Sequence, residues 1–255
     1  MSVNTVAILS PGDMGHSVGQ ALGEHRLNVI TCLEGRSERT RRLAGRANIH
    51  DVGSLNELVL QADLVLSVLV PAEAAGMASR IAEALQATGA DTPFADCNAI
   101  SPQTAKAMDA TITGAGGRFI DASIIGAPPS GKTPPRFYVS GADAGVMSEL
   151  DGKGVDVRFI GQDIGRASGI KMCYAALTKG TSALHVALLT AAELMGLSEE
   201  LRAELMSSQP EAYKRMESQI PGLPTKAFRW IGEMEEIAAT FDRVGVTSYF
   251  HQGAA

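Results

Sequence analysis

Short apolar runs alternate with helix-length amphipathic segments through the first two-thirds of this sequence. The runs Val6–Leu9, Val29–Leu33, Leu64–Val70, Phe94–Cys97, Phe119–Ile125, Phe137–Ser140 and Val155–Ile160 read as strands. Leu64–Val70 and Phe94–Cys97 are nearly continuous in apolar character, as strands covered on both faces must be. Between the runs, Ser54 caps a helix over Leu55–Gln61 and Pro71 opens another. Ser101-Pro102 supplies an N-cap followed by proline at the first helical position. Such an alternation admits few folds, because parallel neighbours need long crossovers of one hand. The expected class is α/β, a Rossmann-type, doubly wound, mostly parallel sheet.

The pattern changes after Gly165. From Arg166 to Leu197 only Ala, Leu, Met, Lys and Thr recur at helical spacing, predicting a helix about 45 Å long. Further helices are predicted over Ser198–Ser208, Glu211–Ser218 and Lys226–Val244, broken at Pro210 and at Pro221-Gly-Leu-Pro224. The expected organisation is a Rossmann domain over residues 1–164 and a smaller all-α domain over 165–255. A stripe of Ala183, Val186, Leu189 and Leu194 is more apolar surface than so small a domain covers. It predicts a homodimer joined through the helical domain.

Composition narrows the partners. The net charge is −6, which excludes the concentrated basic surface that nucleic acid requires. No apolar run reaches the ~20 residues of a membrane span, and the first residues carry no basic leader. Cys32, Cys97 and Cys173 lie in apolar stretches and read as buried free thiols, which fits a reducing compartment. The expected location is the cytoplasm, and the expected partner a small-molecule substrate.

The first strand runs directly into Ser10-Pro11-Gly12-Asp13-Met14-Gly15, followed by Gly19. A glycine turn between a strand and a helix lets backbone approach a pyrophosphate, which the helix N-terminus then faces with free N–H groups. Pro11, Gly12, Asp13, Met14 and Gly15 are therefore expected to hold a dinucleotide. Ser10 stands where the first glycine of such motifs usually lies. At the end of the second strand Glu34 occupies the position, about 20 residues on, where an acid bonds the ribose of NAD. Arg36 and Ser37 follow at once, and a guanidinium with a hydroxyl suits a 2′-phosphate. NADP is favoured, with NAD as the competing reading. His16 is read as a surface residue of the first helical turn.

Further segments bring a family into view. The chain resembles the β-hydroxyacid dehydrogenases, the group of 3-hydroxyisobutyrate and 6-phosphogluconate dehydrogenases. The resemblance rests on Ser10–Gly15, on Ser67-Val-Leu69-Val70-Pro71, on Asp96-Cys-Asn98-Ala-Ile-Ser-Pro102, on Asp121-Ala-Ser123-Ile-Ile125-Gly126-Ala127, and on Gly165-Arg-Ala-Ser-Gly-Ile-Lys171. It implies that Leu69 and Val70 lie beneath the nicotinamide. It also implies that Ser123, Ile125 and Gly126 form the substrate loop and that Lys171 is the catalytic lysine. The departures are Ile125 in place of a carboxylate-binding serine, Ala175 in place of an asparagine, and no Lys-Asp pair in the last helix. With the stretch from Ala127 to Gly141 they resemble a subfamily having a short helical C-terminal domain.

Hydride transfer at an alcohol carbon needs a base for the hydroxyl proton. A free lysine, with pKa near ~10.4, serves poorly until burial and a nearby cation lower it. Lys171, among Gly169, Ile170, Met172 and Cys173, is the expected general acid/base. Asn98 is expected to orient the nicotinamide or the reacting oxygen, and Tyr174, one turn on from Lys171 on the same face, to bind substrate. Lys179 reads as structural or carboxylate-binding, and Glu233–Glu236 as a solvated helix face rather than a metal site. The expected function is NADP-dependent hydride transfer to or from a small hydroxy or oxo acid. Alternatives are imine reduction, which Lys171 disfavours, and a catalytically silent NADP-binding protein.

Overall fold

The computed structural model describes residues 2–129 and 133–255, so Ser130, Gly131 and Lys132 of the proline-rich stretch lie outside the described residues. The chain divides into two compact units, Met1–Lys171 and Met172–Ala255.

In the first unit the strands are β1 (Thr5–Leu9), β2 (Asn28–Thr31), β3 (His50–Asp51), β4 (Leu64–Ser67), β5 (Pro93–Asp96), β6 (Arg118–Ile125), β7 (Arg136–Ser140) and β8 (Asp156–Phe159). They form one sheet in the order β3-β2-β1-β4-β5-β6-β7-β8. All neighbours are parallel except β6 and β7. The crossovers carry α1 (Asp13–Glu24), α2 (Glu38–Arg46), α3 (Leu55–Gln61), α4 (Pro71–Thr88) and α5 (Pro102–Gly114). This is the doubly wound Rossmann sheet that the alternation predicts.

Two apolar layers sandwich the sheet. Val6, Ile8, Val18 and Leu22 belong to one; Leu9, Val65, Ile81 and Phe94 belong to the other. Gly19 shows how tightly α1 is laid down. A Cβ there would come within 2.6 Å of Ile49 Cδ1 and 3.1 Å of Ile8 Cδ1. The pair His50–Asp51 is too short and too exposed to show in the sequence as a strand; it is held by its ladder to β2 and by the Asp51 carboxylate, which accepts from Leu33 N at 3.0 Å.

The helix α6 (Arg166–Leu194) starts in the first unit and continues in the second, where α7 (Ser198–Ser208), α8 (Pro210–Gln219), α9 (Ile231–Arg243) and α10 (Tyr249–Ala254) follow. The helix expected over Lys226–Val244 is not continuous. Ala227–Trp230 is a 3-10 turn and α9 begins only at Ile231. Glu233 is not on a solvated face either. It is buried and paired with Lys179 at 2.7 Å, while Trp230 stacks against the Lys179 ammonium at 5.5 Å. That ion pair gives Lys179 a structural role. Cys173 is exposed rather than buried, because Met172 and Ala175 take the inward face of α6 at that turn. No helix among the described residues is long and apolar enough to cross a membrane.

Candidate active site

The site is built where the central strands end together. Leu9, Ser67, Asp96, Asp121 and Ser140 are register partners across β1, β4, β5, β6 and β7. The chain leaves β1, β4 and β5 at this line, so the segments Ser10–Gly12, Val68–Val70 and Cys97–Asn98 emerge side by side at the carboxyl edge, where open α/β sheets bind ligands. Strand β6 does not stop there. It runs on from Asp121 to Ile125, about 13 Å further at 3.3 Å per residue, and raises a wall beside the crevice.

The glycine turn has the shape a dinucleotide requires. Ser10 adopts a left-handed conformation (φ 58°), doing what the usual first glycine does with less strain. A Cβ built on Gly12 would meet only the Ser10 carbonyl oxygen, at 3.9 Å, so the space before this residue is open to a ligand. Helices α2, α3 and α5 are capped by the hydroxyls of Ser37, Ser54 and Ser101, whereas α1 begins at Gly12 with no side-chain cap. A helix start whose first N–H groups lack such an acceptor is suited to phosphate oxygens. His16 departs from the surface role expected of it: the ring is half-buried and its Nδ1 lies 2.6 Å from the Gly12 carbonyl. Asp13 pairs with Arg39.

The basic run after β2 is partly engaged. Arg41 bonds the Leu33 carbonyl at 2.6 Å and Ser37 accepts from Thr40 N at 3.3 Å as the α2 cap. Arg36, half-buried beside the left-handed Gly35, makes no side-chain hydrogen bond or ion pair among the described residues, and Glu34 points to solvent.

Asn98 sits at the heart of the crevice floor, 2% exposed. Its Nδ2 donates to Ser67 Oγ at 3.0 Å and to Asp96, and its Oδ1 accepts from Leu69 N. Both amide donors are engaged within the protein, so Asn98 fixes the β4 and β5 loops against each other; direct donation to a nicotinamide is not left to it. Burial lifts the Asp96 carboxyl to a pKa of about 7, against the lowering effect of the Asn98 bonds and with a further push from Asp121. Cys97, between them, is held well above the ordinary thiol value by burial and by the same two carboxyls, which makes it a poor nucleophile.

Asp121 is the residue that sequence reasoning left without a role. Its Oδ2 accepts from Gly165 N at 2.8 Å, Ala167 N at 3.0 Å, Ser168 N at 3.2 Å and Ser140 Oγ at 2.9 Å, and its Oδ1 from Ser168 Oγ. It is the N-terminal cap of α6, supplied from a strand far away in sequence. Ser123, expected at the substrate, is fully buried and donates to the Ala167 carbonyl at 2.7 Å, so it too fastens α6 to β6. One turn further along α6, Lys171 Nζ donates to the Ile124 carbonyl at 2.9 Å, on the projecting part of the strand. Ile125 is buried next to it, and Gly126 turns the chain away at φ 130°. Leu69 is half-buried and Val70 exposed where the chain leaves β4. Tyr174 lies in the second unit and is 43% exposed.

Residues 5–150 match the family model described as the NAD binding domain of 6-phosphogluconate dehydrogenase. The chain belongs to that family. Residues 192–255 match a second model, a domain of unknown function called DUF1932. Both matches agree with the β-hydroxyacid dehydrogenase resemblance and its subfamily with a short helical C-terminal domain. Among curated proteins, the chain is 26% identical over 196 residues to an uncharacterized 28.5 kDa protein encoded in the 7S RNA 5′ region of Methanothermus fervidus, covering 77% of this chain and 74% of that one. Among solved structures it is similar to the conserved protein MTH1747 of unknown function, described as structurally similar to 3-hydroxyacid dehydrogenases. The TM-score is 0.72 and the identity 26%, over 98% and 95% of the two chains. It shares its fold with Mycobacterium tuberculosis 3-hydroxyisobutyrate dehydrogenase, with a TM-score of 0.72 and 18% identity over 100% and 92%.

Proposed function

We propose that this protein is an NADP-dependent oxidoreductase that transfers hydride between NADP(H) and a small hydroxy or oxo acid, with Lys171 as general acid/base. The observation that carries the reading is the Lys171 amine, held at the Ile124 carbonyl on the strand extension that walls the crevice. The nicotinamide, when bound, supplies the hydride or takes it up. The residues of the chain do the rest. Gly12 and the uncapped start of α1 receive the pyrophosphate, and Leu69 and Val70 support the ring from below. Lys171 gives its proton to the substrate oxygen in reduction and recovers it in oxidation.

Arg36 supports the choice of NADP over NAD, since Arg39 and Arg41 already have side-chain partners and Arg36 has none among the described residues. Ser37 starts α2 at the same place, so a 2′-phosphate there would meet both a guanidinium and a helix N-terminus. Asn98, Ser123 and Asp121 act as positioning residues, and Tyr174 is assigned to the substrate side. The second unit supports assembly: Leu177, Leu184, Leu194, Val244 and Tyr249 are exposed, and Leu184 and Tyr249 line, with Trp230 and Phe250, an apolar trough of about 840 Å³. So much apolar surface on one small unit favours a homodimer through the helical region, in the cytoplasm. The reading is tested by following NADPH absorbance over a panel of short hydroxy acids, oxo acids and cyclic imines. Turnover of the acids is expected, and turnover of imines alone would replace it with imine reduction.

A further inference from the structure

We infer that Arg136 is the anchor for the substrate's anionic group, a carboxylate on the hydroxy acid, and so a determinant of which substrates the site accepts. The inference rests on the reading of Lys171 as the reacting group's proton partner.

Arg136 opens β7 directly opposite Ile125, the last residue of β6. Cross-strand partners in an antiparallel pair stand on the same face with Cα atoms about 4.5–5.5 Å apart. Residues two apart on a strand share that face as well, so Asp121, Ser123 and Ile125 on β6 face the same way as Ser140, Tyr138 and Arg136 on β7. The first turn of α6 is bonded to this face through Asp121 and Ser123, and Lys171 reaches the Ile124 carbonyl one turn later. Arg136 therefore stands beside the place where Lys171 ends.

Its chemistry is unfinished. Among the described residues the buried Nε of Arg136 has no hydrogen-bond partner and the side chain makes no ion pair. The acid in register on the other side, Asp156, is paired with Arg158 at 2.7 Å instead. Ile125, its cross-strand partner, offers only a hydrocarbon side chain. A half-buried guanidinium left in this condition is costly until an anion reaches it. Its planar donors fit a carboxylate in a two-point geometry. The pyrophosphate is too far to be that anion. Four strand spacings separate β7 from β1, about 19 Å, whereas β6 and Lys171 are adjacent. A hydroxy acid laid along the wall would present its oxygen to Lys171 and its carboxylate to Arg136.

The test uses malonate, a small dicarboxylate that cannot react, titrated calorimetrically into the full-length protein with NADP present. Wild type is expected to bind it, Arg136→Gln to bind it about 10- to 100-fold more weakly, and Arg136→Lys to fall between, keeping charge but not the planar fork. Dimethyl malonate, which has no charge, should not distinguish wild type from Arg136→Gln. NADPH affinity should stay within about twofold in both variants, which also reports that they fold. Malonate binding unchanged in Arg136→Gln, or no malonate binding by wild type, would overturn the assignment. Binding that depends on Arg136 in a protein that oxidises no hydroxy acid would leave the anion site standing and remove the dehydrogenase reading. Turnover of hydroxy acids with KM unmoved by Arg136→Gln would do the reverse.

Discussion

Replacing Asp121 by alanine removes the acceptor for three backbone N–H groups and two hydroxyls at once. The hydroxyls can rotate toward other acceptors and Ala167 N keeps Ser140 Oγ at 3.1 Å, whereas the amides of Gly165 and Ser168 lose the acceptor they share. An exposed N-cap is worth about 1 kcal/mol. Here the carboxylate is 1% exposed, and each stranded donor costs about 1–3 kcal/mol less what entering water returns. The expected loss is about 3–5 kcal/mol for Asp121→Ala and roughly half that for Asp121→Asn, which keeps one acceptor oxygen. Urea unfolding followed by circular dichroism should show a lower midpoint at unchanged slope. Hydrogen exchange of a peptide covering residues 165–171 should lose protection first, because α6 frays where its cap was. A loss below about 1 kcal/mol, with protection of residues 165–168 intact, would refute the view that this carboxylate holds the start of α6.

Wild type should bind NADPH at least about tenfold tighter than NADH, and Arg36→Ala/Ser37→Ala should erase most of that preference, a change of ~1.5–3 kcal/mol readable by fluorescence titration. Asp96, ordinary at 3.8 but about 7 in the fold, should make the protein lose stability as pH rises from 4 to 8, because the native state holds a proton that the unfolded chain releases. The effect is on the order of 4 kcal/mol, and Asp96→Asn should flatten that slope in melts across the range; an unchanged slope would mean that another group carries it. Light scattering should give a dimer at micromolar concentration, and a monomer would contradict the assignment of the exposed apolar face to a second copy.

What could be read from the sequence was what depends on local pattern. Leu55–Gln61 falls where its Ser54 cap puts it and Ser198–Ser208 where its periodicity does, and Arg166–Leu194 ends only three residues early. The glycine turn was legible because a strand, a tight turn and a helix start are contiguous in the chain. Long-range pairing was not. Asp121 and Gly165–Ser168 lie far apart in sequence, and an acid after an apolar run gives no sign that it will cap a distant helix. Asn98 and Ser123 look like ligand groups in a motif, yet their donors are engaged by Ser67, Asp96 and Ala167, partners that only the folded sheet supplies. Glu233 reads as solvated until Lys179 is seen beside it. Arg136 is not legible as a site residue in the sequence, because its significance lies in its register with Ile125 and in an Nε that has no hydrogen-bond partner among the described residues.

Lys171 is the residue on which the proposed chemistry depends, and one comparison tests it most directly. NADPH affinity and turnover are measured side by side for wild type and Lys171→Ala on the best substrate of the panel. Cofactor affinity should stay within about twofold, since Gly12, the start of α1 and Arg36 hold the dinucleotide, while turnover should fall by ~10²–10⁴, the usual worth of a positioned proton donor. Near-normal turnover in Lys171→Ala would contradict the account and reduce the bond to Ile124 to a structural tie.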